Sequence, residues 1–128
     1  MQLTKIETAK APAALGPYSQ AIKAGDFLYC SGQVPLVAET GELVEGGIVE
    51  QTRQSLDNLK YVLNAAGTDF NAVVKTTIYL TDLANFAVVN ETYAGFCGEN
   101  APARATVEIS ALPKGALVEI DAVAYLGE

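Results

Sequence analysis

Arg104 follows Pro102-Ala103 in the segment Ala101-Pro102-Ala103-Arg104-Ala105-Thr106-Val107-Glu108-Ile109, and the chain's only other arginine is Arg53. A planar guanidinium among small residues, where a strand-like alternation opens, suits a small carboxylate gripped by two parallel hydrogen bonds. The chain has no histidine. That removes the usual general base, the usual activator of a nucleophile and the commonest metal ligand. Chemistry here falls to carboxylates, hydroxyls, backbone groups and water. The only thiols are Cys30, in the apolar run Phe27-Leu28-Tyr29-Cys30, and Cys97, after Phe96. Both read as buried and inert, and two isolated cysteines without histidine do not make a zinc site. Their spacing leaves a disulfide open, with nothing else to mark a secreted scaffold.

Other residues could join Arg104, each with a plainer alternative. Glu119 sits between Val118 and Ile120, either as an outward-facing charge or as a carboxylate that orients water. Glu108 reads the same way. Tyr18 follows the Gly16-Pro17 turn and could equally be a core tyrosine. Asn90 interrupts the apolar residues of a helical pattern; it faces solvent or hydrogen-bonds into a cleft. Ser31-Gly32 could offer backbone amides to an anion, a weak signal at two residues. For Arg104 itself the plain reading is a surface ion pair.

At 128 residues and half hydrophobic, the chain reads as one domain, 1–128, able to bury roughly two thirds of its unfolded surface. The net charge of −7 argues against nucleic-acid binding, which needs a surplus of lysine and arginine. The N-terminus Met1-Gln2-Leu3-Thr4-Lys5-Ile6-Glu7 lacks the apolar core of a signal peptide, and no run is long enough to span a membrane. A soluble cytoplasmic protein is the expectation.

These residues must be positioned by elements that the pattern predicts. Leu3 to Glu7 alternates as a short strand; Tyr18–Lys23 and Phe27–Ser31 form two more, turned by Ala24-Gly25-Asp26. Ile48–Ala66 is the clearest helix, with Val49, Thr52, Leu56, Leu59, Leu63 and Ala66 on one stripe and Gly67 as its stop. Val73–Thr81 is β-branched and aromatic, a strand. A second helix covers about Asn85–Cys97, its stripe Phe86, Val89, Tyr93 and Phe96. Arg104–Ser110 and Leu117–Leu126 are the last strands, joined by Leu112-Pro113-Lys114-Gly115. The order β-β-β-α-β-α-β-β predicts an α+β sandwich: a mixed sheet of about six strands with both helices on one face.

In that sheet Val107, Ile109, Val118 and Ile120 are expected to face the helices. Arg104, Thr106, Glu108, Glu119, Asp121, Lys75, Thr77 and Tyr79 fall on the other face, either solvated or an interface between subunits. A simple hairpin about Pro113-Lys114 sets Glu119 opposite Glu108 and leaves Arg104 roughly 13 Å further along. Either the register is irregular or Arg104 and Glu119 meet across a subunit boundary.

Taken together, Gly16-Pro17-Tyr18-Ser19-Gln20-Ala21, Ser31-Gly32-Gln33, Gln54-Ser55-Leu56-Asp57-Asn58, Val74-Lys75-Thr76-Thr77, Phe86-Ala87-Val88-Val89-Asn90, Pro102-Ala103-Arg104 and Val118-Glu119-Ile120 resemble the reactive-intermediate deaminase family (RidA, YjgF or L-PSP), in its order and over nearly the whole chain. The resemblance implies a chorismate-mutase-like fold and a homotrimer with clefts between subunits. It implies hydrolysis of 2-enamine and 2-imine acids, such as 2-aminoacrylate, 2-iminopropanoate and 2-iminobutanoate, to 2-keto acids and ammonia, with no metal or cofactor. By residue matching, Arg104 binds the substrate carboxylate and Glu119 positions the attacking water; Tyr18, Ser31, Gly32, Asn90 and Thr106 line the substrate cleft. One departure is Thr106, where the family commonly has cysteine. Two other readings compete: a regulatory protein that binds 2-keto acids through the same arginine without catalysis, and an RNA-acting protein, against which the charge and the missing histidine weigh.

Overall fold

The computed structural model describes residues 2–99 and 101–127. Six strands and two helices follow the expected order: β1 (Leu3–Ile6), β2 (Ala21–Ala24), β3 (Phe27–Gln33), α1 (Ile48–Ala65), β4 (Val73–Leu80), α2 (Phe86–Ala94), β5 (Ala103–Glu108) and β6 (Val118–Tyr125). Helix α1 starts where the Glu50 carboxylate accepts the Gly47 N–H at 2.8 Å. It stops at Gly67, whose φ of 82° lies in the left-handed region that glycine adopts without a steric clash. Leu56, Leu59, Val62 and Leu63 of α1 are fully buried and pack with Leu28, Ile78, Leu80, Val118 and Ile120 of the sheet. Each such leucine contributes about 2–5 kcal/mol against truncation to alanine. Helix α2 is shorter than its pattern predicts. A 3₁₀ turn, Leu83–Asn85, precedes it, and Gly95 follows its last residue.

The strands lie in the order β1-β2-β3-β6-β4-β5. All neighbours are antiparallel except β4 and β5, which run parallel. This corrects the expected hairpin: β4 separates β5 from β6. The physical reason is the helix between β4 and β5. A strand–helix–strand crossover returns the chain to the same end of the sheet, so β5 adds beside β4 in the same direction. The chain then turns through a 3₁₀ segment, Pro113–Gly115, where Lys114 has a φ of 60°.

The register also corrects the face assignment. Thr76, Ile78 and Leu80 of β4 are buried beneath the helices, and they stand opposite Arg104, Thr106 and Glu108 of β5. Directly opposed residues share a face. Arg104, Thr106 and Glu108 therefore lie on the helix side, while Val107, 40% exposed, points the other way. Glu119 and Asp121 of β6 alternate with buried Val118, Ile120 and Ala122 and stay on the outer face, as expected, with Lys75, Thr77 and Tyr79. There Tyr79 donates its hydroxyl to Asp121 at 3.0 Å, and the Thr77 N–H donates to the same carboxylate at 3.2 Å.

Cys30 is buried on the helix side, and burial pushes its thiol up to about 12. Cys97 is half-buried. Both thiols are free, so the pairing left open by their spacing is not formed.

Candidate active site

Two groups of the predicted site residues assemble at different places. The first gathers around a bulge in β3. Between Cys30, opposite Ala122, and Gln33, opposite Ile120, β3 spends one more residue than β6. The extra residue re-aims the backbone of Ser31 and Gly32, a common use of bulges beside sites. The Ser31 hydroxyl donates to the Ser19 carbonyl at 2.6 Å, and the Ser31 N–H donates to the Gln20 carbonyl at 2.9 Å. Those bonds hold the stretch after Tyr18 against the sheet and leave Tyr18 itself 56% exposed. Gly32 lies directly under Glu119: a Cβ there would collide with the Glu119 carboxylate oxygen and sit 2.8 Å from its carboxyl carbon. Tyr18, Ser31, Gly32 and Glu119 share the wall of a cleft of about 520 Å³, completed by Leu15, Val34, Leu36, Pro113 and Lys114.

Two buried amides hold the loops around this cleft. Gln20 donates to the carbonyls of Thr8 at 3.1 Å and Pro12 at 2.8 Å, and its own oxygen accepts the Thr8 N–H at 2.7 Å. Asn58, from α1, donates to the carbonyls of Val34 at 3.2 Å and Leu36 at 3.0 Å. Both residues enter the sequence reading only as parts of a family motif. Their sequence neighbours do not set them apart, since Gln20 follows Ser19 and Asn58 follows Asp57; only the fold shows that they are buried. Burial raises the Glu119 carboxyl above the ordinary glutamate range, and the neighbouring Asp121 charge adds to the rise. A carboxylate so shifted takes up a proton more readily than an exposed glutamate does, which suits a group that must accept one from water.

The second group lies on the helix side of the sheet edge. Arg104 projects from β5 toward α2, with its guanidinium carbon 5.6 Å from the centre of the Phe86 ring and 5.3 Å from that of Tyr93. Asn90 follows Phe86 by four residues and precedes Tyr93 by three, so it shares their helical face. Thr106 points to the same side, and its hydroxyl is buried without a hydrogen-bond partner among the described residues. Among the described residues the ion pairs are Lys5–Glu7 and Lys60–Asp57. Arg104 is thus not the surface ion pair of the plain reading. Glu108, the nearest carboxylate on its strand by sequence, accepts the Leu83 N–H at 2.9 Å and secures the turn into α2.

One chain does not bring the two groups together. Arg104 registers with Thr76 and Glu119 with Tyr79. Three residues along and two strands across make about 14 Å at ordinary strand spacings, and the side chains leave opposite faces. Among the described residues no cluster of three or more histidine, cysteine, aspartate or glutamate side chains could hold a metal ion, and no helix is long and apolar enough to cross a membrane.

Residues 8–126 match the family model described as Endoribonuclease L-PSP. The chain belongs to the L-PSP family, also called RidA. Its RidA relatives include a RutC family protein of Pyrococcus horikoshii, 55% identical over 94% of this chain and 95% of that one. The 2-iminobutanoate/2-iminopropanoate deaminase of Mus musculus is 52% identical over 95% of this chain and 90% of its own. Among solved structures, the Rid-family protein YyfA of Yersinia pestis superposes with a TM-score of 0.94 at 53% identity, covering 97% of this chain and 99% of that one. The α+β fold read from the element order is that of the L-PSP family.

Proposed function

We propose that this chain is a cofactor-independent deaminase that hydrolyses 2-enamine and 2-imine acids to 2-keto acids and ammonia, as a homotrimer whose sites lie between subunits. The observation that carries the reading is the complementary incompleteness of the two groups. Arg104 is a cation with no carboxylate partner among the described residues, and Glu119 is a carboxylate of raised pKa beside an open cleft. The arginine group of one subunit against the Glu119 cleft of the next makes one complete site. Relatives named as imine deaminases, at about half identity, support the same reaction.

The chemistry needs little more. An imine carbon is already electrophilic, so no histidine-activated nucleophile is required. Arg104 holds the substrate carboxylate in two parallel bonds and so fixes the adjacent carbon. Glu119 takes a proton from water as the water oxygen bonds to that carbon, and passes that proton to the imine nitrogen. The resulting carbinolamine then collapses to the ketone: its hydroxyl proton passes by way of Glu119 to the nitrogen, the carbon–nitrogen bond breaks and ammonia departs. An enamine first takes a proton at its terminal carbon and gives one up from its nitrogen, which makes it the imine.

A dehydratase that releases 2-aminoacrylate, coupled to this protein, tests the reading. Keto acid should form well above the uncatalysed rate in proportion to added protein. A rate equal to that without the protein, alongside measurable keto-acid binding, would instead identify a non-catalytic sensor.

A further inference from the structure

We infer that Tyr93 and Phe86 form an aromatic cradle that positions the guanidinium of Arg104 for its carboxylate, with Thr76 as the anchor of that cradle; this rests on the reading of Arg104 as the carboxylate-binding group. The two rings are seven residues apart on α2, two turns along one face, and Arg104 reaches both at 5.6 and 5.3 Å. Those separations fall within cation–π range. The rings differ in surroundings. Tyr93 is 5% exposed and forms the floor; Phe86 is 41% exposed and forms the outer wall.

The floor is tied to the strand it serves. The Tyr93 hydroxyl lies 2.7 Å from the Thr76 hydroxyl in a buried bond. Thr76 is the β4 residue that stands directly opposite Arg104. Arginine, ring, hydroxyl pair and strand register thus close into one loop of contacts. Burial holds the Tyr93 phenol above the ordinary tyrosine range, so it remains neutral and bonded at physiological pH. Attraction through the ring faces leaves the N–H edges of the guanidinium for a planar carboxylate. An ion pair would have occupied those edges. The arrangement fixes a long, rotamer-rich side chain before substrate arrives, and such pre-organisation is where binding energy is otherwise lost.

The chain has only two arginines, so arginine-selective nitrogen-15 labelling gives two side-chain Nε–H signals. In mildly acid solution the Arg104 signal should be shifted upfield of the Arg53 signal by the two rings. Phe86→Leu, at an exposed position, should move it back part of the way and weaken binding of 2-oxobutanoate by about threefold. Tyr93→Leu should weaken it by about tenfold, and Tyr93→Phe, which restores the ring but not its bond to Thr76, should recover only part of that loss. A merely structural tyrosine would not show this rescue together with the signal shift. Coincident Nε–H signals, unmoved by Phe86→Leu, would overturn the cradle even if Tyr93→Leu failed to fold. Arg104→Ala separates the two levels. If it abolishes keto-acid binding while the aromatic variants bind as wild type, the cradle alone is wrong. If it binds as wild type, the carboxylate reading of Arg104 has failed as well.

Discussion

Glu119 and Glu108 are both glutamates on alternating strands, and their surroundings assign them different work. Glu108 holds the Leu83 amide, while Glu119 lies against Gly32 at an open cleft with its proton affinity raised. Glu119→Gln should lower turnover by about 10²–10⁴-fold while 2-keto acid still binds, because Arg104 is untouched. Glu108→Gln should change turnover less than twofold, roughly within the scatter of ordinary surface changes. The acid limb of kcat/KM should lie above the ordinary glutamate value of about 4.3 and vanish in Glu119→Gln. Stability carries the same sign. Between the unfolded and the higher folded pKa the native chain binds more protons, so stability falls as pH rises through that window, and Glu119→Gln removes that slope. Arg104→Lys should lose most activity, since an ammonium keeps the charge without the planar two-bonded grip. A Lys variant near the wild-type rate in the coupled dehydratase assay would show the geometry to be dispensable. At this scale the sequence singled out Arg104 through its rarity and neighbours. It could not say that Phe86 and Tyr93 serve Arg104, because an aromatic stripe reads the same whether it packs a core or faces a cation.

At the scale of elements, α1 was legible end to end. Its stripe and Gly67 are local signals, and local signals determine a helix. Strand partners were not legible. Whether β6 joins β5 or β4 depends on contacts between segments far apart in the chain, and the tight-looking Pro113-Lys114 turn pointed to the wrong neighbour. The alternation in β5 is legible in the sequence, but the side it presents to the helices is not. As the apolar member Val107 favours the inner side, yet at a sheet edge the helices cover little, and the register with Thr76 and Ile78 turns it outward. The bulge at Ser31-Gly32 makes a further test. Gly32→Ala places a methyl group against the Glu119 carboxylate. The flexible end of a glutamate can swing aside, so the melting temperature should move by only a few degrees. Turnover should still fall at least about tenfold, because the carboxylate is no longer where water must be held. An alanine variant with wild-type kcat would show that the close approach is incidental.

For the whole molecule, a site shared between subunits has an arithmetical signature. Arg104→Lys and Glu119→Gln chains, each inactive alone, should regain activity when unfolded together and refolded as mixed oligomers. Where an intact Arg104 from one chain meets an intact Glu119 from the other, the site is whole. Random mixing makes that about one site in four, so close to a quarter of the wild-type rate should return. Light scattering of the wild type should give three times the chain mass at micromolar concentration. A monomer, or a mixture that stays inactive, would confine the site to one chain, where the two side chains leave opposite faces of the sheet.

Cys30 offers a clock for the same fold. Its thiol is buried under α1 in mid-sheet and held almost wholly protonated at neutral pH, so an alkylating reagent must wait for the sheet to part. The half-buried Cys97 has no such shelter. With mass spectrometry resolving the two adducts, the Cys97 adduct reports local breathing past the end of α2, and the Cys30 adduct counts how often the molecule opens as a whole.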